Sequence, residues 1–105
     1  MGASSKEEII AGILRAGAVM RSGDASAIRE FMKREYPDDV AFWTKATDEY
    51  VLGEAKKVIA TNPKYSLKES DLRDPTAAFD ISDKMATITV KGERYYAYPE
   101  GGRWY

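Results

Sequence analysis

The stretch Met85-Ala86-Thr87-Ile88-Thr89-Val90-Lys91-Gly92-Glu93-Arg94-Tyr95-Tyr96-Ala97-Tyr98 decides the fold of this chain. Ala86, Ile88 and Val90 alternate with Thr87 and Thr89, the period of a strand with two unlike faces. Lys91-Gly92-Glu93 interrupts the alternation as a turn, and an aromatic strand follows over about 94–98. Upstream, Ala77–Ile81 reads as a short strand closed by the turn Ser82-Asp83-Lys84. Downstream, Pro99-Glu100-Gly101-Gly102 is a third turn before Arg103-Trp104-Tyr105. Strands over about 77–81, 85–91, 94–98 and 103–105 in succession make an antiparallel meander.

Before about Ala60 the period is helical instead. Ser5-Lys6-Glu7-Glu8 has the capping-box pattern, and Ile9, Ile13, Ala16 and Met20 share one face behind it. Gly23 reads as a left-handed stop and Asp24 as the next cap, with Ile28, Phe31 and Met32 following. Pro37 ends that segment. Asp38 and Asp39 then stand where a helix start favours negative charge. Val40, Trp43, Thr47, Tyr50, Val51, Ala55, Val58 and Ile59 keep a helical period to Asn62-Pro63, weakened at Gly53. Helices are expected over about 5–21, 25–35 and 39–60, the last kinked or broken near Gly53. Residues 64–75 read as an edge strand at Tyr65 and Leu67 or as loop at Asp71, Asp74 and Pro75. Helices first and strands last predict a single α+β domain over 1–105, N-terminal helices packed on a curled C-terminal antiparallel β-meander. Ile13, Leu14, Phe31, Trp43, Ile88 and Val90 are expected in one core.

Composition limits the chemistry. The chain has 105 residues, 16 basic and 17 acidic. A chain of this size buries roughly 60–70% of its unfolded surface, enough for one core and one pocket. The charges are mixed along the whole length, without the basic stripe of a nucleic-acid binder, so no nucleic-acid partner is expected. Cysteine and histidine are both absent. That removes disulfides, thiolate nucleophiles, histidine triads and the usual ligands of zinc. A catalyst built here has only Asp, Glu, Lys, Tyr and Arg for proton transfer. No run of about 18 apolar residues offers a membrane span. The start, Met1-Gly2-Ala3-Ser4-Ser5-Lys6, has Lys6 where a myristoylation signal has Ser or Thr. It reads as a polar lead-in or as the scar of a removed signal. Cytoplasmic location is the default expectation, with export after signal removal as the alternative.

Several residues stand out as candidate sites. Tyr36, Asp38 and Asp39 are the nearest approach to a catalytic group, but their structural reading, a helix cap and a packed joint, accounts for them, and no catalytic residue is assigned. Phe42 and Trp43 point about 100° apart on a helix, so at least one enters the core. Tyr36, Trp43 and Tyr95 are the candidate walls of a ligand pocket. Tyr96 and Tyr98 share one strand face and are the candidate interface of a homodimer. Asp80 and Asp83 flank a turn without calcium-loop spacing, so no metal site and no cofactor is expected.

Three short motifs resemble nuclear-transport-factor-2-like proteins. Ser22-Gly23-Asp24-Ala25-Ser26-Ala27-Ile28-Arg29-Glu30-Phe31 is similar to the junction between that family's first two helices. Asp83–Val90 resembles its "Asp–x–Ala–x–Val–x–Val" strand, and Gly101-Gly102-Arg103-Trp104-Tyr105 its closing strand. The long third helix and the end at Tyr105 depart from the family pattern. The resemblance implies helices in the concave face of a curled antiparallel sheet, often with a conical pocket. It implies no single activity, because members range from isomerases and dehydratases to adaptors. The reading is therefore a non-catalytic module that binds a small apolar ligand or a protein partner. A histidine-free isomerase or dehydratase is the first alternative, and an inhibitor or immunity-type protein the second.

Overall fold

The computed structural model describes residues 2–105, with side chains from Ser5 onward. The lead-in reading of Met1-Gly2-Ala3-Ser4 lies outside the described side chains. Helices come first: α1 (Gly2–Arg21), α2 (Ala25–Glu35), α3 (Val40–Lys45), α4 (Asp48–Thr61) and the single turn α5 (Glu69–Leu72). Two 3-10 turns, Pro37–Asp39 and Pro63–Ser66, join them. The strands are β1 (Ala78–Ile81), β2 (Ala86–Val90), β3 (Glu93–Ala97), β4 (Pro99–Glu100) and β5 (Arg103–Trp104). The fold is α+β.

β1, β2 and β3 form an antiparallel sheet in that order, and β4 pairs with β5. Phe79 lies opposite Ile88, and Ile88 opposite Tyr95. One face therefore carries Phe79, Ile81, Ala86, Ile88, Val90, Tyr95 and Ala97. The other carries Ala78, Asp80, Thr87, Thr89, Arg94 and Tyr96. The hairpin between β2 and β3 turns on Lys91 and Gly92, both at positive φ, which matches the strands' twist.

The chain folds as two compact units, one made of residues up to Arg15 with Ser66–Tyr105, the other of Ala16–Tyr65. In the first, Ile9, Ile10 and Ile13 of α1 are buried with Leu67, Leu72, Ala86, Ile88, Val90, Ala97 and Trp104. Gly12 sits so close to β5 that a Cβ there would lie 2.2 Å from the Trp104 carbonyl oxygen. In the second, Ala16, Met20, Ile28, Phe31, Met32, Trp43, Val51, Ala55 and Tyr65 are buried together. The six residues expected in one core thus divide. Ile13, Ile88 and Val90 lie in the first cluster with Leu14 packed against it, and Phe31 and Trp43 lie in the second. Helices α2, α3 and α4 bury their apolar stripes in a second cluster, together with Ala16 and Met20 of α1 and Tyr65.

Local signals account for most boundaries. Gly23 adopts φ 73°, and the Asp24 carboxylate accepts from the Ala27 N–H at 3.1 Å to cap α2. Three expectations are corrected. Pro99-Glu100, expected in a turn, forms β4 and pairs with β5, so the last strand stands outside the three-stranded sheet. Ser5 lies inside α1, not at its start. The third helix breaks at Ala46-Thr47 and not at Gly53: both residues are extended, at ψ 142° and 156°. The Thr47 hydroxyl accepts from the Tyr50 N–H at 3.1 Å, and Asp48 and Glu49 fill the first turn of α4. Thr47 is thus a cap, though it sits in phase with the apolar stripe. The undecided stretch 64–75 resolves as turn and helix: the Asp71 carboxylate accepts from the Lys68 N–H at 2.9 Å, and Leu72 is fully buried.

Candidate binding site

The site lies in the second unit, where α2 ends and α3 and α4 begin. Pro37 stops α2 and forces the chain through a 3-10 turn, in which the Asp39 N–H donates to the Tyr36 carbonyl at 2.9 Å. α3 follows for little more than one turn and carries Phe42 and Trp43. The Thr47 cap then starts α4, which brings Tyr50 round. Four rings meet as a result. Tyr36 stacks on Trp43 with centroids 6.5 Å apart, and Phe42 meets Trp43 edge-on at 5.3 Å. Tyr50 completes the group, 5.6 Å from Phe42 and 6.1 Å from Trp43. These separations are those of attractive aromatic pairs.

Only Trp43 is buried. Tyr36 is 49% exposed, Phe42 52% and Tyr50 45%, with Val40 at 42% beside them. A fold does not need this: burying any one of these rings stabilises by roughly 1.5–3 kcal/mol. Single exposed apolar residues are ordinary, whereas rings in contact with one another make a continuous patch.

Arg29 on α2 holds the patch in place. Its Nε donates to the Trp43 carbonyl at 3.0 Å and its Nη2 to the Ala46 carbonyl at 2.9 Å, closing the end of α3. The same Nη2 pairs with Asp48 at 2.8 Å, so one guanidinium bridges both sides of the break. A helix as short as α3 has little stability of its own, and this clamp together with Trp43 burial fixes its direction.

A groove of about 180 Å³ opens beside the rings, lined by Met32, Tyr36, Asp39, Phe42, Trp43, Glu54 and Val58. Asp39 precedes α3 but makes no capping bond, contrary to the capping role expected of it. Its carboxylate has no hydrogen bond or ion pair with any described residue. Glu54 pairs with Lys57 at 3.2 Å. Between Tyr36 and Glu54 the chain carries Asp38, Asp39, Asp48, Glu49 and Glu54 against Lys45 alone. Arg29 answers Asp48 and Lys57 answers Glu54, so the acidic side chains of this span that remain without an ion pair among the described residues are Asp38, Asp39 and Glu49.

Two other grooves lie in the same unit. One of about 160 Å³ is lined by Glu35, Tyr36 and Tyr65 among others. Burial pushes the Tyr65 hydroxyl up to about 12, and the Glu35 charge adds to this. That moves it away from any proton-donating role near neutral pH. Burial also lowers Lys64 below its ordinary value, opposed by Glu35. The other groove, of about 420 Å³, has walls of Met20, Ile28, Leu52, Ala55 and Ile59, with Arg21 and Lys56 among its lining. Among the described residues no charged side chain is buried, and no three acidic side chains gather as a metal site would require. No described helix is long and apolar enough to cross a membrane.

Of the candidate pocket residues, Tyr36 and Trp43 line one groove. Tyr95 lies in the first unit, half-buried on the Ile88 face of the sheet, and is not among that groove's walls. Tyr96 stands opposite Thr87 and is exposed, and Tyr98 is exposed beyond the end of β3. Phe42, Tyr50 and Arg29 join the site without having been singled out for it by the sequence. A signal for the rings is present: Tyr36, Phe42, Trp43 and Tyr50 are four of the chain's twelve aromatic residues within a short, acid-rich span. Arg29 carries none. No protein-family model, curated protein or solved structure matches this chain.

Proposed function

We propose that the protein is a non-catalytic binding module whose second unit docks a basic, partly apolar segment of another protein. The observation that carries this is the mutual contact of Tyr36, Phe42, Trp43 and Tyr50 with three of the four rings left half-exposed. Aromatic side chains give large contact area with few rotatable bonds, which suits them to the centre of an interface. The acidic flanks select the partner's sign, since a basic segment gains from Asp38, Asp39 and Glu49 while an acidic one is repelled. An inhibitor or immunity-type role is one use of such a surface. The isomerase or dehydratase alternative lacks its main requirement among the described residues, a buried carboxylate beside a tyrosine hydroxyl.

Titration of the ¹⁵N-labelled protein with a Lys/Leu amphipathic peptide, and with its Glu/Leu counterpart, tests this. The Lys/Leu peptide is expected to shift resonances across 36–54 and to weaken at least tenfold with Phe42→Ser plus Tyr50→Ser. Equal binding of the two peptides, or undiminished binding by the double variant, would overturn it.

A second reading, a small apolar ligand, is favoured by the groove of about 420 Å³, which falls within the usual range for small-molecule sites. Its apolar walls and two cations suit a medium-chain carboxylate. Decanoate should raise the unfolding midpoint of the wild type and not of Leu52→Trp, which fills the groove. No shift in the wild type would end this reading.

The nuclear-transport-factor-2-like resemblance is also kept as a proposal. It rests on the order of elements, the Gly23-Asp24 junction and the closing Gly101-Gly102-Arg103-Trp104 segment. A solved structure in which the sheet does not curl around a helix would end it.

A further inference from the structure

We infer that the groove beside Tyr36 and Trp43 seats an alkylammonium group, the ε-ammonium of a lysine on the docked partner. This rests on the protein-docking reading above and names the contact that would anchor it. The first observation is size. At about 180 Å³ the groove is smaller than the sites that enclose drug-sized ligands, and it fits a short chain with a compact head.

The second observation is the chemistry of the walls. Tyr36 and Trp43 stack at an interplanar angle of 24°, and Phe42 stands across Trp43 at 87°. Three aromatic rings, Tyr36, Phe42 and Trp43, thus line one small volume. A π-face carries partial negative charge and attracts a cation within about 6 Å of its centre. Ring edges and aliphatic neighbours accept the methylene stem that leads to the cation.

The third observation is charge. Asp39 lines the same groove, and its carboxylate, which makes no capping bond to α3, has no hydrogen bond or ion pair with any described residue. Glu54 also lines it, tied only to Lys57, whose side chain is 77% exposed. An exposed ion pair of this kind is weak and exchanges readily. A neutral occupant would leave the Asp39 carboxylate unanswered, and an anion would be repelled by Asp39 and Glu54. An ammonium satisfies them and the rings together. A primary ammonium also has three N–H donors for the carboxylates, which a quaternary one lacks.

The experiment compares n-butylammonium, its neutral isostere 1-butanol and tetramethylammonium, each titrated into the whole chain and followed at the Trp43 indole N–H. n-Butylammonium is expected to bind at least tenfold more tightly than 1-butanol. Asp39→Asn should remove most of that preference without weakening 1-butanol. Tyr36→Ala should weaken both. Asp39 and Tyr36 are exposed, so these variants should keep the wild-type spectrum elsewhere. Equal affinity for n-butylammonium and 1-butanol, or a preference that survives Asp39→Asn, would overturn the inference. Tighter binding of tetramethylammonium would overturn the assignment to lysine. If the Lys/Leu peptide still binds across 36–54 while n-butylammonium shows no preference, the docking surface stands and the lysine seat falls. If the peptide also fails, both fall.

Discussion

Gly12→Ala and Gly53→Ala are the same substitution in the interior of two helices, and they should act with opposite signs. Helix propensity alone favours alanine at both positions by about 1 kcal/mol. At Gly53 nothing lies within 4 Å of the added methyl, so that gain should appear as about 0.5–1 kcal/mol of stabilisation. At Gly12 the methyl would lie 2.2 Å from the Trp104 carbonyl oxygen and 2.8 Å from its carbon. Ordinary carbon–oxygen contacts begin near about 3.3 Å, so helix and strand must separate by about 1 Å. The obstacle is backbone and cannot rotate away. The Trp104 side chain is buried and the residue pairs with Pro99, so β5 is anchored on both counts. Overpacking of this kind costs roughly 1–3 kcal/mol, and an anchored backbone belongs at the upper end. After the propensity gain, Gly12→Ala should destabilise by about 2 kcal/mol, so the two variants should differ by about 3 kcal/mol. Urea unfolding by far-UV circular dichroism measures both. Fluorescence of the single-tryptophan variants Trp43→Phe and Trp104→Phe reports the first and second units separately, which checks whether one transition describes the chain. Gly12→Ala as stable as the wild type, or more so, would refute the close approach of α1 to β5.

Four further outcomes are expected. Ile88→Ala should cost about 2–5 kcal/mol and Thr89→Ala under about 1 kcal/mol, since Ile88 is fully buried and Thr89 faces the other way; equal losses in chemical denaturation would show both sheet faces to be covered. Arg29→Ala should destabilise by about 2–3 kcal/mol, and Arg29→Lys should restore little because one ammonium cannot span the Trp43 and Ala46 carbonyls and Asp48; full rescue by lysine in a melting experiment would refute the clamp. In pH titrations of stability, Tyr65 should contribute below pH 10 and lose that contribution as pH rises through about 12, because its folded value is raised. Glu7, held low by Arg73, should contribute above about 4.5 and lose it as pH falls through its lower folded value; Tyr65→Phe and Glu7→Gln should flatten the alkaline and acid limbs respectively, and unchanged limbs would refute these assignments. If the sheet's outer face self-associates, the wild type should sediment as a dimer at high micromolar concentration and Tyr96→Glu with Tyr98→Glu as a monomer; a monomeric wild type ends the homodimer proposal.

The site is partly legible in the sequence. Tyr36 precedes Pro37 and Trp43 lies in the short α3 just after it, which brings their rings together beside one groove. Tyr95 is grouped with them for its ring alone, and no local rule says which cluster a strand residue joins. Arg29 cannot be found from sequence: an arginine on a helix looks solvated until the carbonyls it serves arrive from residues 14 and 17 positions away.

By itself the sequence determined the helices up to about Ala60, the three-stranded meander of β1, β2 and β3, the Gly23-Asp24 junction and the inward face of β2. All of these depend on interactions between residues a few positions apart, where periodicity, caps and turns act. Tertiary structure alone decided that the apolar residues divide into two clusters, that Gly12 admits no methyl, and that Tyr50 joins Tyr36, Phe42 and Trp43. Each of those depends on which surfaces meet, and an apolar side chain is equally satisfied by any dry neighbour that fits. The break at Ala46-Thr47 falls between the two. Its cap is local, but Thr47 lies in phase with the apolar stripe, and the Arg29 clamp across the break comes from another helix.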